Sequence, residues 1–79
     1  MTVRVRYFAA LRERLGSGES RAVRTGTTVA ALWSDVVAEH PGLARMPVRV
    51  AVNAHYVAMS VRLRENDEVA FFPPVSGGA

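Results

Sequence analysis

Between Val29 and Val37 the apolar residues Val29, Leu32, Trp33, Val36 and Val37 recur at i, i+3, i+4, i+7 and i+8, which is one stripe of a helix with 3.6 residues per turn. On both sides of this stretch the period drops to two. Val3, Val5 and Tyr7 alternate with Arg4, Arg6 and Phe8; Val48, Val50 and Val52 alternate with Arg49, Ala51 and Asn53; Val69 and Phe71 alternate with Ala70 and Phe72. Alternation of this kind marks strands with one buried face. One-sided strands flanking one one-sided helix bury their apolar surface most simply in two layers. The expected fold is therefore α+β, a mixed sheet with one main helix across one face. A chain of 79 residues is the size of a single domain, expected to span 1–79 with 73–79 as a flexible, extended C-terminal tail.

Turn chemistry divides the remainder. Ala9 to Leu15 reads as a short helix ended by Gly16-Ser17-Gly18, and Glu19 to Arg24 as a second short strand before Gly26. The glycines read as turn residues, because Gly16-Ser17-Gly18 lacks the third glycine and the strand-to-helix context of a phosphate cradle. Thr27 or Thr28 can cap the main helix, and His40-Pro41-Gly42 should stop it. The third strand turns at Asn53-Ala54-His55 into a region holding Tyr56, Val57, Met59 and Val61, and a polar turn at Arg64-Glu65-Asn66 leads into a last strand from Asp67 to Phe72. Parity places Val3, Val5, Val48, Val50, Val69 and Phe71 beneath the helix, with Trp33 as core filling. The opposite face then carries Phe8, Phe72, Ala51, Arg4, Arg6 and Arg49. Aromatic rings among arginines suit a docking surface for a protein partner.

Several chemistries are excluded or disfavoured. With no cysteine in the sequence, there is no disulfide framework, no zinc–cysteine site and no thiol nucleophile. All ten basic residues are arginine, so among the amines only the α-amino group is left as an acceptor for self-conjugation. The arginines are dispersed and the formal charge is only +3, which favours a solvated surface or an acidic protein partner over nucleic acid. His40 and His55 have no second ligand at metal-binding spacing. Glu65, Asp67 and Glu68 cluster in what reads as a solvated turn with no pocket for acid–base work, and neither Ser60 nor Ser76 sits in a nucleophile elbow. No apolar run approaches the ~20 residues that cross a bilayer, so a cytoplasmic, membrane-free location is expected. Nothing here reads as an autonomous enzyme.

The C-terminal run Asp67-Glu68-Val69-Ala70-Phe71-Phe72-Pro73-Pro74-Val75-Ser76-Gly77-Gly78-Ala79 points elsewhere. A strand that ends in two prolines must leave its sheet, because proline has no N–H to donate. Beyond it, Pro73 to Gly78 could span roughly 18 Å at about 3.1 Å per residue in a polyproline-like conformation. Glycines at the tip permit close backbone approach through a narrow channel. A glycine carboxylate there could be activated by a partner as an acyl adenylate. Gly-Gly-Ala alone would suit a frayed end, but the aromatic strand and Pro73-Pro74 would then have no explanation.

The run 67–78, together with Val50-Ala51-Val52-Asn53 and Tyr7-Phe8-Ala9-Ala10-Leu11-Arg12-Glu13, resembles the MoaD/ThiS sulfur-carrier family of ubiquitin-like β-grasp proteins, which includes the small subunits of molybdopterin synthases. The resemblance covers essentially the whole chain. It implies that Gly78, at the end of a tail formed with Val75, Ser76 and Gly77, is adenylated by an E1-like (MoeB-like) enzyme using ATP and Mg and then becomes a thiocarboxylate. It also implies a large (MoaE-like) synthase subunit that receives the tail, two sulfurs passed in turn to cyclic pyranopterin monophosphate to form the dithiolene of molybdopterin, and no cofactor bound by the chain itself. Phe8, Tyr56 and Phe72 fall where the family has its apolar docking surface, with Pro73, Pro74, Arg4, Arg6 and Arg49 beside them.

One departure stands out. Family members end at the second glycine, whereas Ala79 follows Gly78 here, and a peptide bond leaves Gly78 without a carboxylate to activate. Three explanations stand: a processing peptidase removes Ala79, the residue is an addition to the natural sequence, or the chain keeps only a binding role. Other readings of the carrier are a different sulfur-transfer pathway, such as thiazole or cysteine synthesis, and a ubiquitin-like protein modifier.

Overall fold

The computed structural model describes residues 1–74. Its elements run β1 (Thr2–Tyr7), α1 (Ala9–Leu15), β2 (Gly18–Ala22), α2 (Val29–Glu39), a 3₁₀ turn (Pro41–Leu43), β3 (Arg49–Val52), β4 (His55–Tyr56) and β5 (Glu68–Phe72). The strands form one sheet in the order β2-β1-β5-β3-β4. β1 and β5 are parallel, with Val5 beside Val69 and Tyr7 beside Phe71. The β1–β2, β3–β5 and β3–β4 pairs are antiparallel. This is the mixed α+β sheet expected from the two hydrophobic periods, and its last strand lies at the centre.

The period-two residues behave as parity requires. Val3, Val5, Tyr7, Val50, Val69 and Phe71 point into the core and meet Val29, Leu32 and Val36 of α2. Trp33 is half-buried against the same cluster, with its ring 4.8 Å from that of Phe71. Leu11, Leu43 and Leu63 complete the fully buried set. Their roles were not visible from alternation, because each lies in or beside an element too short to show a period.

Helix α2 begins where its first N–H groups find partners. The Thr28 hydroxyl accepts from the Ala31 N–H at 3.1 Å, while the Val29 and Ala30 N–H groups donate to the Val61 and Met59 carbonyls at 2.9 and 2.8 Å. This accounts for the segment after the hairpin. In the region holding Tyr56, Val57, Met59 and Val61, β4 stops at Tyr56, and the Met59 and Val61 carbonyls cap the helix, satisfying donors that a helix start leaves orphaned. At the other end the His40 N–H donates to Val36 and Val37. Pro41 and Gly42 do not simply end the chain's helical path: they form a 3₁₀ turn that carries Leu43 into the core.

The second strand is also offset from expectation. It starts at Gly18 and ends at Ala22 instead of running from Glu19 to Arg24. Gly18 is a ladder member opposite Arg6, and a side chain there would place its Cβ 2.5 Å from the Val5 carbonyl oxygen. A close backbone approach, and not turn geometry, accounts for glycine at this position.

Candidate functional site

The face of the sheet away from α2 is built by parity from four strands. Arg4 and Arg6 come from β1, Glu68, Ala70 and Phe72 from β5, Arg49 and Ala51 from β3, and Tyr56 from β4. Register then sets the neighbours: Arg4 lies beside Glu68, Arg6 beside Ala70, Arg49 beside Phe72, and Tyr56 beside Ala51. Small alanines at the centre leave the rings and guanidinium groups as its relief.

Phe8 joins this face because the β1–β5 ladder extends one residue past the strand. Its N–H donates to the Phe71 carbonyl at 3.2 Å, with φ −126° and ψ 159°. The chain then turns into α1 at Ala9, which has φ 52°. A left-handed alanine is strained by about 1–2 kcal/mol, and here it lets the helix depart without rotating Phe8 off the sheet. The Phe8 ring is 36% exposed and lies 5.2 Å from the Arg6 guanidinium carbon, which sits over it. Tyr56, 78% exposed, meets the half-buried Phe72 edge to face, with centroids 5.6 Å apart. Phe72 is thus the supported partner of an exposed tyrosine. A groove of about 190 Å³ between β3 and residues 57–59 borders Tyr56 and Arg49.

Glu68 is the residue of this face that the sequence did not single out. It is the first residue of β5, within the strand expected from Asp67 to Phe72 and outside the turn expected to hold it with Glu65 and Asp67, and its carboxylate lies 3.5 Å from Arg4 and 3.9 Å from Arg6. The neighbouring acids are engaged by the backbone. Asp67 accepts from the Arg64 N–H at 2.7 Å and from the Asn53 side-chain amide at 2.9 Å. Glu65 accepts from the Thr2 N–H at 3.1 Å. Asn53 closes the arrangement by accepting from the Glu68 N–H at 3.0 Å. These contacts fasten the β3–β4 turn to the start of β5. Among the described residues no group of three His, Cys, Asp or Glu side chains could hold a metal ion, and the His55 ring contacts the Asn53 carbonyl.

Pro73 and Pro74 follow β5 outside any strand, both half-buried. Because β5 runs parallel to β1, the chain leaves the sheet at the end where Phe8 and Phe72 lie. Val75, Ser76, Gly77 and Gly78, expected as the carrier tail, lie outside the described residues. No helix is long and apolar enough to cross a membrane among the described residues.

A mixed five-stranded sheet crossed by one main helix, with its central last strand running out towards the C-terminus, defines the class of ubiquitin-like β-grasp proteins. The ThiS family model matches residues 5–78. The molybdopterin synthase sulfur carrier subunit of Escherichia coli is 35% identical over 80 residues, which cover 96% of this chain and 99% of that protein. Among solved structures, small archaeal modifier protein 1 of Haloferax volcanii superposes with a TM-score of 0.78 at 27% identity, over 94% of this chain and 98% of the other. A chain of the complex of subunits 1 and 2 of the molybdopterin-converting factor from Helicobacter pylori gives a TM-score of 0.69 at 25% identity, over 99% of this chain and 100% of the other. The chain belongs to the MoaD/ThiS sulfur-carrier family.

Proposed function

We propose that this protein is the sulfur-carrying subunit of a molybdopterin synthase, acting from the cytoplasm and supplying a reactive group instead of catalytic side chains. The observation that carries this reading is the end-to-end match to molybdopterin synthase sulfur carrier subunits. The exit of β5 through Phe72-Pro73-Pro74 beside an aromatic face supports it. In this reading an E1-like, MoeB-like enzyme holding ATP and Mg activates the Gly78 carboxylate, which displaces pyrophosphate to form an acyl adenylate. A sulfur donor then replaces AMP and leaves a thiocarboxylate. A large, MoaE-like subunit receives the tail, and its residues direct sulfur onto cyclic pyranopterin monophosphate to build the dithiolene of molybdopterin. The thiocarboxylate is the nucleophile, and insertion into the partner shields it from hydrolysis.

In this account Phe8, Tyr56 and Phe72, with Arg4, Arg6, Arg49, Pro73 and Pro74, form the surface on which both partners dock. Val75, Ser76 and Gly77 connect it to Gly78. Where Ala79 is part of the natural sequence, a peptidase uncovers the Gly78 carboxylate first. Intact mass of the untagged protein from its own cells tests the scheme. A species ending at Gly78 with one oxygen exchanged for sulfur is expected. Unmodified chains alone, with the activating enzyme and sulfur donor abundant, would overturn it. A second reading, a protein modifier joined through Gly78 to amines, is favoured by the likeness to small archaeal modifier protein 1. It predicts amide conjugates in the same mass analysis.

A further inference from the structure

A charged row crosses the outer face of the sheet. Arg4 lies 3.5 Å and Arg6 3.9 Å from the Glu68 carboxylate, and the Arg6 guanidinium covers the Phe8 ring with its carbon 5.2 Å from the centroid. The position of Glu68 is fixed from the backbone. Its N–H donates to the Asn53 side chain at 3.0 Å, its carbonyl accepts from the Asn53 N–H at 2.8 Å, and parallel pairing sets it beside Arg4. The carboxylate is therefore delivered between two arginines by the fold, while the ion pairs themselves stay exposed and weak. Exposed pairs of this kind contribute about 0.2–1 kcal/mol, so an incoming carboxylate can displace Glu68 at small cost.

We infer that Glu68 is a specificity-determining residue of the docking face, an internal competitor that occupies Arg4 and Arg6 in the free carrier and yields them to an acidic partner surface. The inference rests on the docking face proposed above. Its partner chemistry follows from charge: Arg4, Arg6 and Arg49 share this face with the carboxylate of Glu68 at the start of β5, which leaves a net positive surface that selects acidic partners. When a partner carboxylate takes Arg6, the guanidinium can move off Phe8 and leave the ring free to pack. A neutral apolar surface cannot perform that exchange and would meet a ring still covered by Arg6.

The test is the association of the full-length carrier with the large synthase subunit across a range of ionic strength. Charges at the rim of an interface act mainly on the association rate and its salt dependence. Glu68→Gln should associate about 1.4- to fivefold faster at low salt, the factor that an exposed ion pair represents, with a steeper fall as salt rises and at most a small drop in melting temperature. Arg6→Gln should remove most of the difference between wild type and Glu68→Gln, because the competition would have lost one of its two cations. Slower or weaker binding of Glu68→Gln would overturn the inference, since Glu68 would then contact the partner itself. Identical rates and salt slopes would overturn it as well. Failure of the wild-type carrier to bind the large subunit at all would instead refute the underlying docking reading.

Discussion

The β3–β4 turn shows how much a single side chain decides. Asn53 and Ala54 have φ of 50° and 70°, the pair of left-handed residues that a tight hairpin requires. Asparagine tolerates this region; alanine is strained there by about 1–2 kcal/mol. Glycine at 54 would remove that strain but loses about 0.4–1 kcal/mol through greater freedom in the unfolded chain. Ala54→Gly should therefore stabilise the fold by somewhat under ~1 kcal/mol, read as a higher urea midpoint with an unchanged slope. Gly18→Ala should act in the opposite direction, because its Cβ would meet the Val5 carbonyl oxygen at 2.5 Å. Leu32, with no exposed surface, and the half-buried Phe72 make a second contrast. Leu32→Ala should cost roughly 2–5 kcal/mol as a core truncation, whereas Phe72→Arg should reduce partner binding more than stability. Equal stability losses would show that the two faces are wrongly assigned. Both positions were legible because periodicity reports which face a residue is on. Glu68 was not, because its contacts with Arg4 and Arg6 join the two ends of the chain, and local spacing carries no information about which strands become neighbours.

At the scale of elements, the pairing of α2 with β2 rests on one polar cluster. The Arg21 guanidinium bonds to Glu39 at the end of the helix and to Glu19 on its own strand at 3.2 Å, and Glu19 accepts from the Tyr7 hydroxyl at 2.7 Å. The hydrogen bond from Arg21 lowers the Glu39 carboxyl below its ordinary value of 4.5. A folded-state value below the unfolded one means that this contribution is present above about pH 4.5 and is lost as pH falls through the lower folded value. The melting temperature of wild type should thus exceed that of Glu39→Gln at pH 7, and the gap should close on acidification. Tyr7 responds at the other end of the scale. Burial, reinforced by the bond to Glu19, raises its phenol above the ordinary 10.0. Stability that depends on the protonated phenol is present below pH 10 and declines above it, which Tyr7→Phe would blunt. β1, β3, β5 and α2 were readable as elements because each has enough residues to show a period or a cap. The hairpin into β4 was legible from its turn but not its two-residue length, and the 3₁₀ turn holding Leu43 and the capping segment 59–61 were not legible, since their conformations are set by what they pack against.

At the scale of the whole molecule, the fold and the reactive end are separable. The buried cluster closes with Phe71, in the central strand of the sheet, so residues beyond the prolines are not needed to complete it among the described residues. Parallel pairing of β1 with β5 has a second consequence. It brings the chain's exit at Pro73-Pro74 to the end of the sheet where Phe8 stands, while the core lies on the other side of the sheet. In the proposed reading the order of residues carries this division: a strand, two prolines and two glycines separate packing, exit and chemistry along one run. Deleting Gly77-Gly78-Ala79 should consequently leave the circular dichroism spectrum and melting temperature unchanged, because terminal residues outside the core contribute little to it. The same deletion should abolish sulfur transfer while retaining binding to the large subunit through Phe8, Tyr56 and Phe72. A truncated chain that unfolds would place the tail in the fold, and one that still transfers sulfur would move the carrier chemistry away from Gly78. Retained binding with lost transfer is the outcome that assigns recognition to the face and reactivity to the tail.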